Sequence, residues 1–281
     1  MRHVTDPHQV PDQPRPSASG SGLTHVTGLT TDTAEARYAA EARQGALIAH
    51  EHLEHVWGWS SPAGQKRAER RAAFLVDAAH LEPGVRCLEI GAGSGEFTER
   101  LAQSGCQLDA LELSPDIARV CQNRVGDSAR VLVGNAETGA GLPQGLSYDA
   151  IVGVSVLHHL NLETAFEATF RRLRPGGRFA FSEPNMANPQ IWAERHIAVV
   201  KRLRRVTEHE TAFRVHELRS AFERAEFEVE LCEPFDFLHP ATPPSLIDPV
   251  QRLERVLEGS PLRRIAGSVK IVGLRPIRPA P

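Results

Sequence analysis

Cysteine is scarce in this sequence, and what there is stands apart: four residues, at 87, 106, 121 and 232, with no C-x-x-C pair. The pattern argues against a disulfide-stapled scaffold and suits reduced thiols in a cytoplasmic protein. Long apolar runs are missing too. No segment approaches the roughly 18 residues needed to span a bilayer, and the N-terminus has no apolar stretch of signal length. Nor is there an excess of positive charge: 32 Lys and Arg stand against 35 Asp and Glu, a formal net charge of −3. No general attraction to nucleic acid follows from such a balance. The basic runs Lys201-Arg-Leu-Arg-Arg205 and Arg171-Arg172 read as solvated helix faces or helix ends. With no internal repeat, what remains is a soluble, intracellular chain of 281 residues, 41% hydrophobic, long enough for one large domain with appendages.

Two further absences are specific. The stretch His50-Glu-His-Leu-Glu-His-Val-Trp-Gly-Trp59 nearly contains H-E-x-x-H and H-x-x-E-H, but positions 54 and 51 are Glu where those patterns need His. Metal-dependent hydrolysis is not supported. A pyrophosphate-binding turn reads G-x-G-x-x-G, and here Glu96 stands where its third glycine belongs, setting negative charge beside a phosphate pair at a helix start. A nicotinamide dinucleotide is therefore disfavoured.

What the chain does have is Cys87-Leu-Glu-Ile-Gly-Ala-Gly-Ser-Gly-Glu-Phe-Thr98, a buried-strand pattern, three alternating glycines and a helix start. Gly91, Gly93 and Gly95 leave room for a ligand to approach the main chain, and the helix N-terminus offers unpaired N–H groups. The next strand pattern, Leu108-Asp-Ala-Leu-Glu-Leu113, ends on Glu112, an acid placed to hold two ribose hydroxyls. A third, Val131-Leu-Val-Gly-Asn-Ala-Glu137, ends with Asn135 and Glu137, side chains able to pair with the amine edge of an adenine. Singly these read as a tight turn, a solvated strand end and a loop acid. At successive strand ends they mark the carboxyl edge of an open α/β sheet, where ligands sit. Together they point to S-adenosylmethionine.

The order of elements agrees. Residues 1–33, rich in Pro, Ser, Thr and Gly, read as a disordered tail. Helical patterns cover 33–49 and 62–79, within a 34–80 helical lid preceding the first strand. Strands at 85–90, 107–111, 130–133, 148–154 and 178–183 alternate with helices at 96–104, 115–125 and 162–173. Helices follow at 190–205, 216–225 and 249–258, with strands at 227–237 and 268–274. Such alternation predicts a mostly parallel sheet with helices on both faces.

Over roughly residues 80–185 the chain resembles the class I S-adenosylmethionine-dependent methyltransferases. Glu89-x-Gly91-x-Gly93-x-Gly95 looks like their first motif, Glu112 their ribose acid, Asn135-Ala-Glu137 their adenine-side motif, and Leu173-Arg-Pro-Gly-Gly-Arg-Phe179 the turn before their fifth strand. The resemblance implies an α/β, Rossmann-like, seven-stranded sheet with an antiparallel last strand, occupying 81–281 with cap insertions at about 186–212 and 238–262. It also implies S-adenosylmethionine as cofactor, S-adenosylhomocysteine as its product, and cofactor contacts from Glu89, the three glycines, Glu112, Leu113, Asn135, Ala136, Glu137 and Ser155.

Methyl transfer from a sulfonium is an in-line displacement, so the protein must chiefly position the acceptor and shed its proton. Val154-Ser-Val-Leu-His-His-Leu160 follows the fourth strand, and a neutral imidazole there is a fitting base; His159 is the first choice and His158 the second. Some quinone-pathway O-methyltransferases carry Glu-x-x-Glu-His at this place and bind a divalent metal. Here Ser155, His158 and His159 stand instead, so a hard metal ion is not expected. Glu183 and Asn185 end the fifth strand as acceptor-binding candidates. Trp57 and Trp59, Trp192, and the loop Phe237-Leu-His-Pro-Ala-Thr-Pro-Pro244 are candidate apolar walls. The expected activity is O-methylation of a small molecule of specialised metabolism, with no nucleic-acid or membrane partner and a homodimer left open. Transfer to nitrogen or carbon, to protein or RNA, and a non-catalytic cofactor-binding regulator are the alternatives.

Overall fold

The computed structural model describes residues 58–197 and 212–277, with Ala36, Tyr38, Ala39 and Arg43. Those four single residues are helical; the rest of the helix expected at 33–49 lies outside the described residues, as does Trp57.

Seven strands form one sheet: β1 (Arg86–Ile90), β2 (Gln107–Glu112), β3 (Arg130–Val133), β4 (Tyr148–Val154), β5 (Leu173–Pro184), β6 (Glu228–Phe235) and β7 (Ser268–Leu274). Their order is β3-β2-β1-β4-β5-β7-β6, parallel through β5, with β7 antiparallel to both its neighbours. The helices are α1 (Pro62–Ala78), α2 (Glu96–Ala102), α3 (Pro115–Val125), α4 (Leu162–Ala168), α5 (Pro189–His196), α6 (Val215–Arg224) and α7 (Ile247–Glu258). Among the described residues no helix is long and apolar enough to cross a membrane.

The central strands are apolar almost throughout because both their faces are covered. Cys87, Ala150, Val152 and Ala180 face one core with α1, α2 and α3; Leu88, Ile90, Ile151, Phe179 and Phe181 face the other with α4 and α6. The second core is aromatic, with Phe179 stacked on Phe222 at a centroid distance of 4.4 Å and Phe166, Phe170 and Phe227 packed around them. Local chemistry sets the helix starts. Ser61 and Ser114 cap α1 and α3 through side-chain oxygens, each followed by a proline in the first turn.

Three segments depart from the sequence expectation. The helix expected to run to 173 stops at Ala168, because the Thr169 hydroxyl donates to the Ala136 carbonyl at 2.6 Å and the chain tightens into a 3-10 turn, Phe170–Arg172, that seats Phe170 in the aromatic core. The turn expected before the fifth strand is a bulge within it: Leu173 already pairs with Tyr148, and pairing resumes at Arg178 opposite Ala150. The loop expected to line an acceptor pocket, at 237–244, instead lies against the start of α1, where Leu238 packs on Ala63 and Ile247.

A buried ion pair joins α1 to the end of β6. Asp236, 2% exposed and at φ 74°, accepts from Arg67 Nε at 3.0 Å and from Arg71 at 2.6 Å, while Arg71 also donates to Ser268 Oγ. Glu258 and Glu254 of α7 accept the backbone N–H groups of Asp236 and Phe237 and pair with Arg70. Burial pushes the Asp236 carboxyl up, but the Arg71 and Arg67 charges outweigh it and hold the group below its ordinary 3.8. The stability it contributes is complete above about pH 4 and is lost as the pH falls through the depressed value. Asp236→Asn tolerates the left-handed backbone but strands the guanidinium, and should cost about 3–5 kcal/mol in urea unfolding at neutral pH. A loss under about 1 kcal/mol would show the pair to be dispensable.

Candidate functional site

A cavity of about 460 Å³ opens at the carboxyl edge of β1, β2, β3, β4 and β5. Its floor is the turn after β1. Gly91 sits at φ 70°, and a Cβ there would lie 2.5 Å from Val156 Cγ2, so only glycine lets the β1 and β4 loops meet. Glu112 locks this floor: its Oε2 accepts from Gly93 N–H at 3.0 Å and its Oε1 from Ser114 N–H at 2.9 Å. Burial raises the Glu112 carboxyl, and the Ser114 and Gly93 N–H groups oppose that rise. Ser94, buried in the same turn, directs a hydroxyl without a hydrogen-bond partner into the wall. A loop kept open by glycine, with an orphaned hydroxyl and a held carboxylate, fits the polar adenosyl and amino-acid ends of S-adenosylmethionine.

The β3 end adds Asn135, Ala136 and Glu137 to the wall. Asn135 Oδ1 accepts from Glu137 N–H at 2.7 Å, and Glu137 Oε2 accepts from Tyr38 at 3.0 Å and Thr164 at 3.2 Å. Asn135 and Glu137, both expected at the adenine edge, thus also brace the chain around them. Leu113, Ser155, His158, His159 and Trp59 complete the expected residues that reach the cavity. Ser155 holds a left-handed φ of 52°, an observed strain at the end of β4. Trp59 meets Phe97 edge-on at 5.2 Å, with the Arg71 guanidinium 5.3 Å from its ring centre.

Several expected residues do not reach the wall. Glu183 is fully buried: its Oε1 accepts from Val156 and Leu157 N–H, each at 2.9 Å, and its Oε2 lies 2.7 Å from His158 Nδ1. Asn185 is also fully buried, donating to the carbonyls of Arg264 and Ala266 and accepting from Ala187 N–H, so it is a joint between β5 and the segment before β7. Trp192 is 47% exposed and stacks on His196. Gly95 caps α2 and faces Cys121 and Arg124, not the cavity. Glu89 lies beneath the glycine turn; burial pushes its carboxyl up to about 8, Glu112 adds to the rise, and its Oε2 has no hydrogen-bond partner.

Glu96 does line the cavity, but its charge is met by Arg100 and Arg124, each at 2.8 Å. The electrostatic case against a phosphate pair is weakened accordingly, and bulk at the third-glycine position is what remains of it. Tyr38, Ser94 and Arg195 are wall residues that sequence reasoning missed. Ser94 was findable inside the glycine turn, whereas Tyr38 and Arg195 arrive from distant segments with no motif around them.

Because Glu89 binds its proton more tightly folded than unfolded, it disfavours the folded state as the pH rises from about 4.5 to about 8. Glu89→Gln should therefore gain in stability relative to the parent across that interval, measured by denaturant titration at several pH values. A difference between the two that does not change with pH would show that Glu89 is ionised throughout.

Comparison with known proteins agrees with this geometry. A family model described as a methyltransferase domain matches residues 63–231. The ubiquinone biosynthesis O-methyltransferase of Xanthomonas axonopodis pv. citri is 34% identical over 140 residues, 47% of this chain and 58% of that protein. The chain thus spans under two thirds of the curated relatives it first matches. Among solved structures, N-methyltransferase NodS of Bradyrhizobium japonicum WM9, in complex with S-adenosylhomocysteine, superposes with a TM-score of 0.54 at 16% identity over 86% of this chain and 99% of that one. Magnesium protoporphyrin IX methyltransferase of Synechocystis PCC 6803 with bound S-adenosylmethionine gives 0.53 at 12% identity, over 89% and 100%. These two likenesses establish the fold, and the family model, which covers more than half of the chain and every strand around the cavity, makes this chain a member of the class I S-adenosylmethionine-dependent methyltransferases.

Proposed function

We propose that the chain methylates a hydroxyl of a small molecule, with His158 as the base. The observation that carries this reading is the 2.7 Å contact between His158 Nδ1 and the buried Glu183 carboxylate at the cavity wall. Glu183 already accepts two backbone N–H groups, so it acts as an ionised acceptor and His158 donates from Nδ1. The neutral ring then keeps its lone pair on Nε2, and the carboxylate stabilises the imidazolium that forms when that nitrogen takes a proton. His159, more exposed and with its ring centre 4.2 Å from that of His158, is the weaker candidate.

S-adenosylmethionine supplies a methyl group already activated on a sulfonium. Glu112 would hold its ribose, Asn135 and Ala136 its adenine edge, and the Gly91–Ser94 turn its amino-acid end. The chain's remaining tasks are to orient the acceptor and remove its proton. A hydroxyl must lose that proton as it attacks, whereas a neutral amine can lose it afterwards, so an anchored base favours an oxygen acceptor. Trp59, Phe97, Val156 and Leu160 line the cavity and suit an acceptor with an aromatic or apolar body.

Two measurements test the reading. Glu112→Ala should weaken S-adenosylhomocysteine binding by about 1–3 kcal/mol in calorimetry, and unchanged affinity would remove it from the cofactor site. With radiolabelled S-adenosylmethionine and a panel of phenols and alcohols, His158→Ala should lower kcat by roughly a hundredfold or more, and Glu183→Gln should shift the acid limb of the pH profile. Full turnover by His158→Ala, or product methylated only at nitrogen or carbon, would overturn the assignment.

A further inference from the structure

We infer that Gln65, a residue outside the cavity wall, is a positioning residue for the acceptor: its side-chain amide fixes Trp59 against the start of α2, so the acceptor's wall and the cofactor's turn are held as one piece. The inference rests on the reading above in taking Trp59 as part of the acceptor's wall, and not on which atom is methylated. Gln65 Nε2 donates to the Trp59 carbonyl at 2.6 Å and to Glu96 Oε1 at 3.1 Å, and its Oε1 accepts from Arg100 at 2.6 Å. The amide nitrogen thus serves two partners and the oxygen a third. No charged side chain does both, since an ionised Glu only accepts and Lys and Arg only donate.

The segment that carries Trp59 is built onto α1. A Cβ at Gly64 would lie 2.0 Å from the Gly58 carbonyl oxygen and 3.0 Å from Trp59 Cα, so glycine there lets residues 58–59 lie on the first turn of the helix. The indole is 8% exposed, with Phe97 edge-on at 5.2 Å and the guanidinium carbons of Arg67 and Arg71 at 5.5 and 5.3 Å from its ring centre. Both arginines are held by Asp236. The ring is therefore gripped from α1, while Gln65 ties its main chain to α2. Trp59, Glu96 and Phe97 line the cavity, and Gln65 does not. Methyl transfer needs donor and acceptor at near-attack distance, where an error of about 1 Å costs roughly a hundredfold. A link between wall and turn sets that distance without touching either ligand.

The chain has three tryptophans, at 57, 59 and 192, so Trp57→Phe with Trp192→Phe leaves Trp59 as the sole indole of the full chain. This double variant is the parent into which Gln65→Met, Gln65→Asn and Gln65→Glu are placed. All four proteins are compared by Trp59 emission and acrylamide quenching, by calorimetry with S-adenosylhomocysteine, and by turnover of labelled S-adenosylmethionine with phenols and alcohols. Met matches the length without hydrogen bonds, Asn keeps the amide one methylene short, and Glu keeps the acceptor for Arg100 without the donor for Trp59. Either of the first two suffices, provided that it unfolds cooperatively in urea. In both we expect red-shifted and more readily quenched Trp59 emission, kcat lower by roughly tenfold or more, and S-adenosylhomocysteine affinity within about twofold of the parent. Gln65→Glu should behave as they do. Unchanged Trp59 emission or unchanged kcat overturns the inference, and recovery in Gln65→Glu overturns it by assigning the residue to Arg100. S-adenosylhomocysteine affinity that falls in step with kcat overturns it by placing the effect in the cofactor turn. If the parent methylates no phenol or alcohol, the hydroxyl reading fails, and emission and calorimetry still decide the link.

Discussion

Glu183 is the group on which the geometry of the site turns. Its carboxylate has no exposure, yet it is saturated: two N–H groups of the loop after β4 and the His158 ring surround it. Burying an anion is tolerable only with such complete pairing, and the same pairing leaves the loop and the ring few alternatives. The device recurs around the sheet edge. Glu112 ties the β1 turn to the β2 turn, Glu137 ties the β3 loop to Tyr38 and α4, and Asp236 ties α1 to β6. Loops at the carboxyl edge, which carry no regular ladder of their own, are fixed by acids at the ends of the strands.

Glu89 is the exception that shows what the others achieve. It too is a buried acid at the first motif, but one of its oxygens has no partner and burial raises it to about 8, so it stays protonated at neutral pH. Glu112 adds to that rise, so a neutral Glu89 relieves the repulsion between the two acids at the glycine turn.

How much of this was legible depended on the range of the interactions. Strand ends and glycines are local, and β3, β4, β7 and α3 fall on the residues that hydrophobic patterning and Pro115 indicate. Side-chain direction at a strand end is less local. Glu183 shares the parity of Phe179 and Phe181, which face the aromatic core, so it turns beneath the β4 loop and not into the cavity. Asn185 meets carbonyls 79 and 81 residues away, and no spacing in the sequence signals that. Arg195 belongs to the same class: it reaches the cavity wall from a helix whose asparagine cap bonds a carbonyl far away in sequence.

That difference in range separates the two halves of the site. The half around the glycine turn is built from consecutive strand-to-helix turns, where Glu112 bonds N–H groups of its own and the neighbouring turn and Asn135 bonds one of its own, so altering it disturbs the sheet itself. The opposite wall is assembled from α5, the loop after β4 and residues ahead of α1, with Asn188 and Ser61 donating to the carbonyls of Ile265 and Pro240, far away in sequence. Such joints can carry a different residue one helical turn along without changing the fold beneath. A fold of this kind keeps its strand-end turns and exchanges the residues that face them across the cavity.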